Sequence, residues 1–443
     1  MPNRTLALAG STAVAALGGL LFGFDTAVIA GAIDTLRQTF HLSAGSLGLT
    51  VSSALWGTVV GALAAGIPAD RYGRRATLIL CALLYVLSAL GCLLARSWPE
   101  VVLARFVGGL GIGASSVAGP MYIAEIAPPG WRGRLVGLFQ INIVVGILLA
   151  YVSNYLLGRL LVGPEQWRWK LGSPGVPAFL FLLFLLWIPQ SPRWLVAAGE
   201  TEQARRVLQQ LGRPVEAELR EIAAGIEQER QTGRVRLFSR RYRYPIFLAV
   251  TLALFNQLSG INAILYYLND IFRRAGFGTV SADMQAVAVG ATNLVFTLIA
   301  MAVIDRLGRR TLLLSGALGM AACQAGVAWV FLHPGHAGWL VWLLAGFIAC
   351  FAFSQGAVIW VYLSEVFPTP VRGAGQSLGS FVHWLMNAII SWSFPGLAER
   401  SGGYPFLFFA AMMVLQFFVV WRWFPETRGV ALEQIQRRLV TAD

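Results

Sequence analysis

Apolar runs of spanning length alternate with short polar loops along almost the whole chain. Each run, near residues 8–31, 46–68, 76–95, 101–124, 135–157, 172–188, 246–270, 284–304, 311–332, 339–364, 374–396 and 404–424, approaches the roughly 20 apolar residues that a membrane-crossing helix needs. The pattern predicts twelve spanning helices in an all-α integral membrane protein. Between Leu6 and Ile33 the only ionisable residue is Asp25. An aspartate near mid-span costs about 2.5–3.5 kcal/mol on insertion scales, so it calls for an interior partner or a watered path. Arg105 lies about five residues from the start of the fourth run and Asp25 about eight from the end of the first, which are the outer ends when the N-terminus is inside, so at ~1.5 Å per residue their depths agree within a turn. The two are candidates for a buried pair. A carboxylate held neutral, or paired only to pack helices, is the structural alternative.

Composition agrees with the pattern. With 57% hydrophobic and 12% charged residues among 443, the chain is too apolar for a soluble protein of this length. The net charge of +13 raises the question of nucleic acid, but the basic residues follow the loops rather than one patch. Placing the N-terminus inside puts roughly 25 of the 34 basic residues in cytoplasmic segments, with both termini cytoplasmic. The first run is too long for a signal-peptide core and is read as a retained helix. Cys81, Cys92, Cys323 and Cys350 fall in spans at spacings that match neither a metal site nor a disulfide framework. Lys170, the sole lysine, reads as a by-product of composition. No G-x-x-x-x-G-K-[ST] phosphate loop occurs, so nucleotide drive is unsupported and no cofactor is expected.

The chain also repeats itself. ADRYGRR at 69–75 returns as IDRLGRR at 304–310, and YIAEIAPPGWRG at 122–133 as YLSEVFPTPVRG at 362–373. The repeats divide the chain into a first half at 1–188, a polar connector at 189–244 with short helices, a second half at 245–424 and a tail at 425–443. Two parallel six-helix halves are the layout of a transporter with its site at midplane between them.

These motifs, with ARFVGG in the fourth run, PQSPRWL after the sixth, NQLSGINAILYY in the seventh and FPETRG at 424–429, resemble the sugar porter family of the major facilitator superfamily over nearly the whole chain. The resemblance implies a twelve-helix carrier working by alternating access. In its proton-coupled members the aspartate matching Asp25 is the proton site and faces an arginine matching Arg105. Burial favours the neutral acid and a nearby guanidinium favours the carboxylate, so a movement that changes their distance couples protonation to conformation.

A sugar needs amides, which donate and accept, and aromatic faces for its C–H patches. By resemblance Gln140, Gln257, Asn262 and Asn293 are sugar-contacting amides, Phe22, Phe351, Trp360 and Trp384 supply aromatic surface, and Tyr266 and Tyr267 gate the site. Any one of these alone reads equally as an interhelical bond or packing. Several positions depart from the family pattern, among them Ile147, which gives no amide where some pentose carriers show one. Asn256 stands where glutamine is common, His383 where an amide is usual, and Gly356 lacks the prolines that often follow it, which assigns the tenth-helix hinge to that glycine.

Asp70, Arg74, Arg75, Glu125 and Arg132, with their repeats Asp305, Arg309, Arg310, Glu365 and Arg372, form by resemblance a cytoplasmic ion-pair latch. Each exposed pair contributes about 0–1 kcal/mol, so only a network biases an equilibrium. Gln190 replaces a family glutamate, whereas Glu426 is kept. The expected function is monosaccharide:proton symport, for a hexose such as glucose or galactose, by a monomer in a bacterial inner membrane, with no enzymatic activity, metal or nucleic-acid partner. A facilitative uniporter is the alternative, and a non-transporting sugar sensor a further one.

Overall fold

The computed structural model describes residues 2–161, 163–232, 237–333, 335–368 and 371–428, and no strand occurs among them. Among the described residues ten helices are long and apolar enough to cross a membrane. Two more complete the twelve runs of the sequence. The sixth is split by Pro174 into Gln166–Gly172 and Gly175–Leu185, and the eleventh, Arg372–Arg400, carries Ser, His and Asn along its length.

The seventh and tenth runs are not continuous helices. The seventh breaks into Arg243–Leu258, Ile261–Tyr266 and Leu268–Arg274. Gly260 makes the first break: it takes a left-handed φ of 76°, which a side chain disfavours, and a Cβ there would meet the Phe409 ring at 2.4 Å. The tenth breaks between Leu340–Phe353 and Gln355–Val366. Its irregular residue is Ser354, at φ −118° and ψ −91°, whose hydroxyl donates to Cys350 O at 2.6 Å. The interruption therefore lies two residues before Gly356, which is helical.

The helices form two compact units. One is drawn from residues 1–26, 56–150 and 171–234, and the other from 27–55, 151–170 and 235–443. The first unit has a core built around Leu21, Tyr85, Tyr122, Phe139 and Phe181. Most of the connector belongs to it, while Leu237 and Tyr242 join the core of the other unit. Pro192–Ala197, Thr201–Gln210 and Val215–Thr232 are short helices, and Ala204, Val207, Leu208 and Leu211 recur at helical spacing to bury one face in that core. The second unit has its core around Leu248, Leu252, Leu312, Tyr362, Phe367 and Phe424. Segments 27–55 and 151–170, which precede the connector, pack within this second unit, so packing and sequence repeat divide the chain differently.

Candidate functional site

In the first unit, the helix Pro2–Val28 carries Asp25 and the helix Trp98–Ile126 carries Arg105. They meet. Arg105 Nη1 donates to Asp25 Oδ1 at 2.8 Å and Nη2 to the Asp25 backbone carbonyl at 3.1 Å. The residues are 3% and 2% exposed. Among the described residues Asp25 Oδ2 and Arg105 Nε have no hydrogen-bond partner, so the buried pair is half-satisfied. Such a pair persists only while both partners are charged and close, because a lone charge at this depth is strongly disfavoured. Phe22, one turn before Asp25, packs against the unit's core. Gln140 is half-buried on the helix Arg132–Leu160, and its amide makes no hydrogen bond among the described residues.

The second unit gathers the remaining polar candidates around Gln257. Its Nε2 donates to Asn256 Oδ1 at 3.0 Å and lies 3.2 Å from both ring nitrogens of His383, while its Oε1 accepts from Asn262 Nδ2 at 2.9 Å. An amide N–H aimed at the imidazole needs an unprotonated ring nitrogen, so His383 serves here as an acceptor. Trp360 and Trp384 flank the imidazole with ring centroids 5.2 and 5.0 Å away, Trp384 edge-on. Trp384 is buried and Trp360 is 37% exposed. Asn293 is buried, and its amide makes no hydrogen bond among the described residues. Phe351 lies against Gly356, with ring carbons 3.2 and 3.5 Å from where a Cβ would stand. Tyr266 accepts from Asn387 Nδ2 at 3.0 Å, and Tyr267 donates to Ser391 O at 2.9 Å while stacking on Phe394.

The arginine motifs build one geometry twice. Gly73 and Gly308 both stand at φ 89°, turning the chain into the helices Arg74–Leu94 and Arg309–Leu332. Arg74 Nε reaches Glu125 and Arg309 Nη2 reaches Glu365, each at 3.0 Å, bridging neighbouring helices within one unit. Arg74 also pairs with the exposed Asp70 at 3.2 Å. Arg75 and Arg310 donate to the backbone carbonyls of Leu185 and Trp421. Arg132 and Arg372 donate to Ala124 O and Phe367 O. The Asp305 side chain lies outside the described ones. Gln190 and Glu426 occupy matching places at the two helix starts. Gln190 Oε1 accepts the Arg75 N–H at 3.0 Å, whereas the Glu426 carboxylate accepts the N–H groups of both Arg309 and Arg310, at 2.9 and 3.0 Å.

A family model described as Sugar (and other) transporter matches residues 11–439. The chain belongs to this family. Family members are transporters rather than enzymes. The D-xylose-proton symporter of Escherichia coli strain K12 is 37% identical, covering 96% of this chain and 94% of its own. The glucose transport protein of Synechocystis is also 37% identical, over 95% of each chain. A solved inward open conformation of the xylose transporter XylE from E. coli aligns with TM-score 0.87 at 33% identity, covering 98% of this chain and all of that one. The fold is accordingly that of the major facilitator superfamily.

Two polar features escaped the sequence reading. Asn387, fully buried, lies one turn beyond His383 on the same face of its helix and holds both Tyr266 and Ser391. That four-residue spacing was the available signal. The second is Lys170, buried to 1% exposure rather than exposed in a loop.

Proposed function

We propose that this sugar transporter family member is a monosaccharide:proton symporter in which Asp25 carries the proton. The single observation behind the proposal is the buried, half-satisfied pair of Asp25 and Arg105. Protonation of Asp25 from the side opposite the arginine motifs neutralises it and frees Arg105. The charge that held the first and fourth helices together is gone, and the sugar-loaded carrier changes state. Deprotonation toward the motif side restores the pair. The distribution of basic loops supports placing that side in the cytoplasm of a bacterial cell, with both termini there.

In the second unit sugar recognition falls to the Gln257 cluster, with the Asn293 amide open to new partners and Trp360 and Trp384 as stacking faces, and in the first unit Gln140 offers a further amide. Gln257 binds Asn256, Asn262 and His383, and sugar hydroxyls exchange for some of these bonds. The cytoplasmic arginine clusters act as the latch. Relatives named for xylose and for glucose support a monosaccharide substrate, with the hexose as the preferred reading.

The test is uptake of labelled glucose, galactose, xylose and arabinose into proteoliposomes, with and without an inward proton gradient. Accumulation abolished by a protonophore supports symport and names the sugar. Gradient-independent equilibration makes the protein a uniporter and leaves Asp25 structural, and binding without flux makes it a sensor.

A further inference from the structure

The end of the second unit remote from the arginine motifs holds charges that none of the above uses. Lys170 is 1% exposed and Asp283 is 3% exposed. Lys170 Nζ donates to Gly31 O at 2.8 Å and lies 3.8 Å from Asp283 Oδ2, while Asn269 Nδ2 donates to Asp283 Oδ1. One buried ammonium thereby gathers the end of the first span, the start of the sixth and the start of the eighth. Around it Arg273 pairs with Asp34, Arg37 lies 3.6 Å from Asp270, and Arg274 meets Asp270 at 2.7 Å. In three of these four ion pairs, one partner precedes the connector and the other follows it. Ordinary loop-end charges stay in water. A pair this deeply desolvated is retained only where both members stay matched.

We propose that Lys170 and Asp283 are the lock of the outer gate: they meet only while the outer ends of the two sequence halves are together, and their separation is a required step of outward opening. The inference rests on the alternating-access reading above. The lock works by difference. On opening, both charges regain water together, so the intact pair permits the motion. Removing either charge takes from the other a countercharge it faces in the closed state, and so disfavours that state.

Hydrogen–deuterium exchange of the full-length carrier in nanodiscs, without sugar, tests this. Asp283→Asn and Lys170→Met are each expected to speed exchange at 33–40 and 268–283 about tenfold. They also slow exchange around Arg74 and Arg309, because outer opening accompanies inner closing. The double variant Lys170→Met, Asp283→Leu removes both charges and returns both ends to wild-type rates. Unchanged exchange in the single variants overturns the lock. So does acceleration confined to the outer end, which marks a merely local structural role, or a double variant as fast as the singles. Where a single variant does not fold, Asn269→Ala, which keeps both charges and loosens Asp283, carries the same two-ended comparison. The assay needs no transport, so a carrier that fails the uptake test by equilibrating sugar without a gradient still passes or fails this one.

Discussion

Replacing Asp25 by Asn keeps an acceptor 2.8 Å from Arg105 but removes the titratable charge. One carboxylate in the pair implies one proton per sugar. Each charge moved through 100 mV contributes about 2.3 kcal/mol, and about 1.4 kcal/mol is tenfold in concentration, so the wild type is expected to accumulate sugar about fiftyfold at that potential. Asp25→Asn is expected to reach the outside concentration and stop, while counterflow exchange continues. The variant leaves Arg105 without a countercharge in a site 2% exposed, and breaking such a pair costs about 3–5 kcal/mol. The retained acceptor holds the loss toward the lower figure. Asp25→Asn, Arg105→Gln removes both charges and recovers stability without recovering accumulation. The assay is labelled sugar in proteoliposomes under a valinomycin-imposed potential and a pH step. Accumulation by Asp25→Asn beyond the outside concentration would refute proton carriage by this residue.

Three further outcomes are expected. Gln190→Glu adds a carboxylate at the start of the helix Arg74–Leu94 and raises stability by about 0.3–1 kcal/mol, while Glu426→Gln lowers it by removing the charge that accepts two N–H groups; thermal unfolding midpoints of the two variants check this. His383 accepts from Gln257, so His383→Gln, which keeps an acceptor there, retains sugar affinity and His383→Leu weakens it; equal affinities of the two variants in sugar titrations remove the role. Asn387→Ala removes the donor to Tyr266 and the acceptor of the Ser391 hydroxyl, at about 1–3 kcal/mol in a denaturant or thermal titration.

Much of the fold was legible because a bilayer demands long apolar runs, and a polar residue inside one stands out. Asp25 and Arg105 were found that way, from depth alone, and the structure joins them. The arginine motifs were found by repetition. What escaped depends on tertiary contact. The tenth-helix break falls at Ser354, two residues before the glycine that the sequence marks, because the backbone turns there with the Ser354 hydroxyl bonded to Cys350 O. The Gly260 break hid inside an apolar run whose hydropathy gives no warning. Lys170 was set aside as composition because its partners, a backbone carbonyl at Gly31 and a carboxylate at Asp283, stand in no sequence pattern with it.

Duplication finds only what was duplicated. At the spacing that separates Asp70 from Asp305 or Glu125 from Glu365, Lys170 meets Pro405 or Ala410, and Asp283 meets Gly48 or Ser43. Lys170 and Asp283 therefore have no charged counterpart in the other half, whereas the charges of the arginine motifs come twice. Even there the copies differ. Gln190 reproduces the place of Glu426 with an amide, so hydrogen-bond geometry is kept at both helix starts while the negative charge is kept at one. A carboxylate at a helix start gains from the helix dipole as well as from its N–H donors, and a neutral amide gains less. The second-half cluster is thus the more strongly held of the two, and a latch built from both is expected to yield first at Gln190.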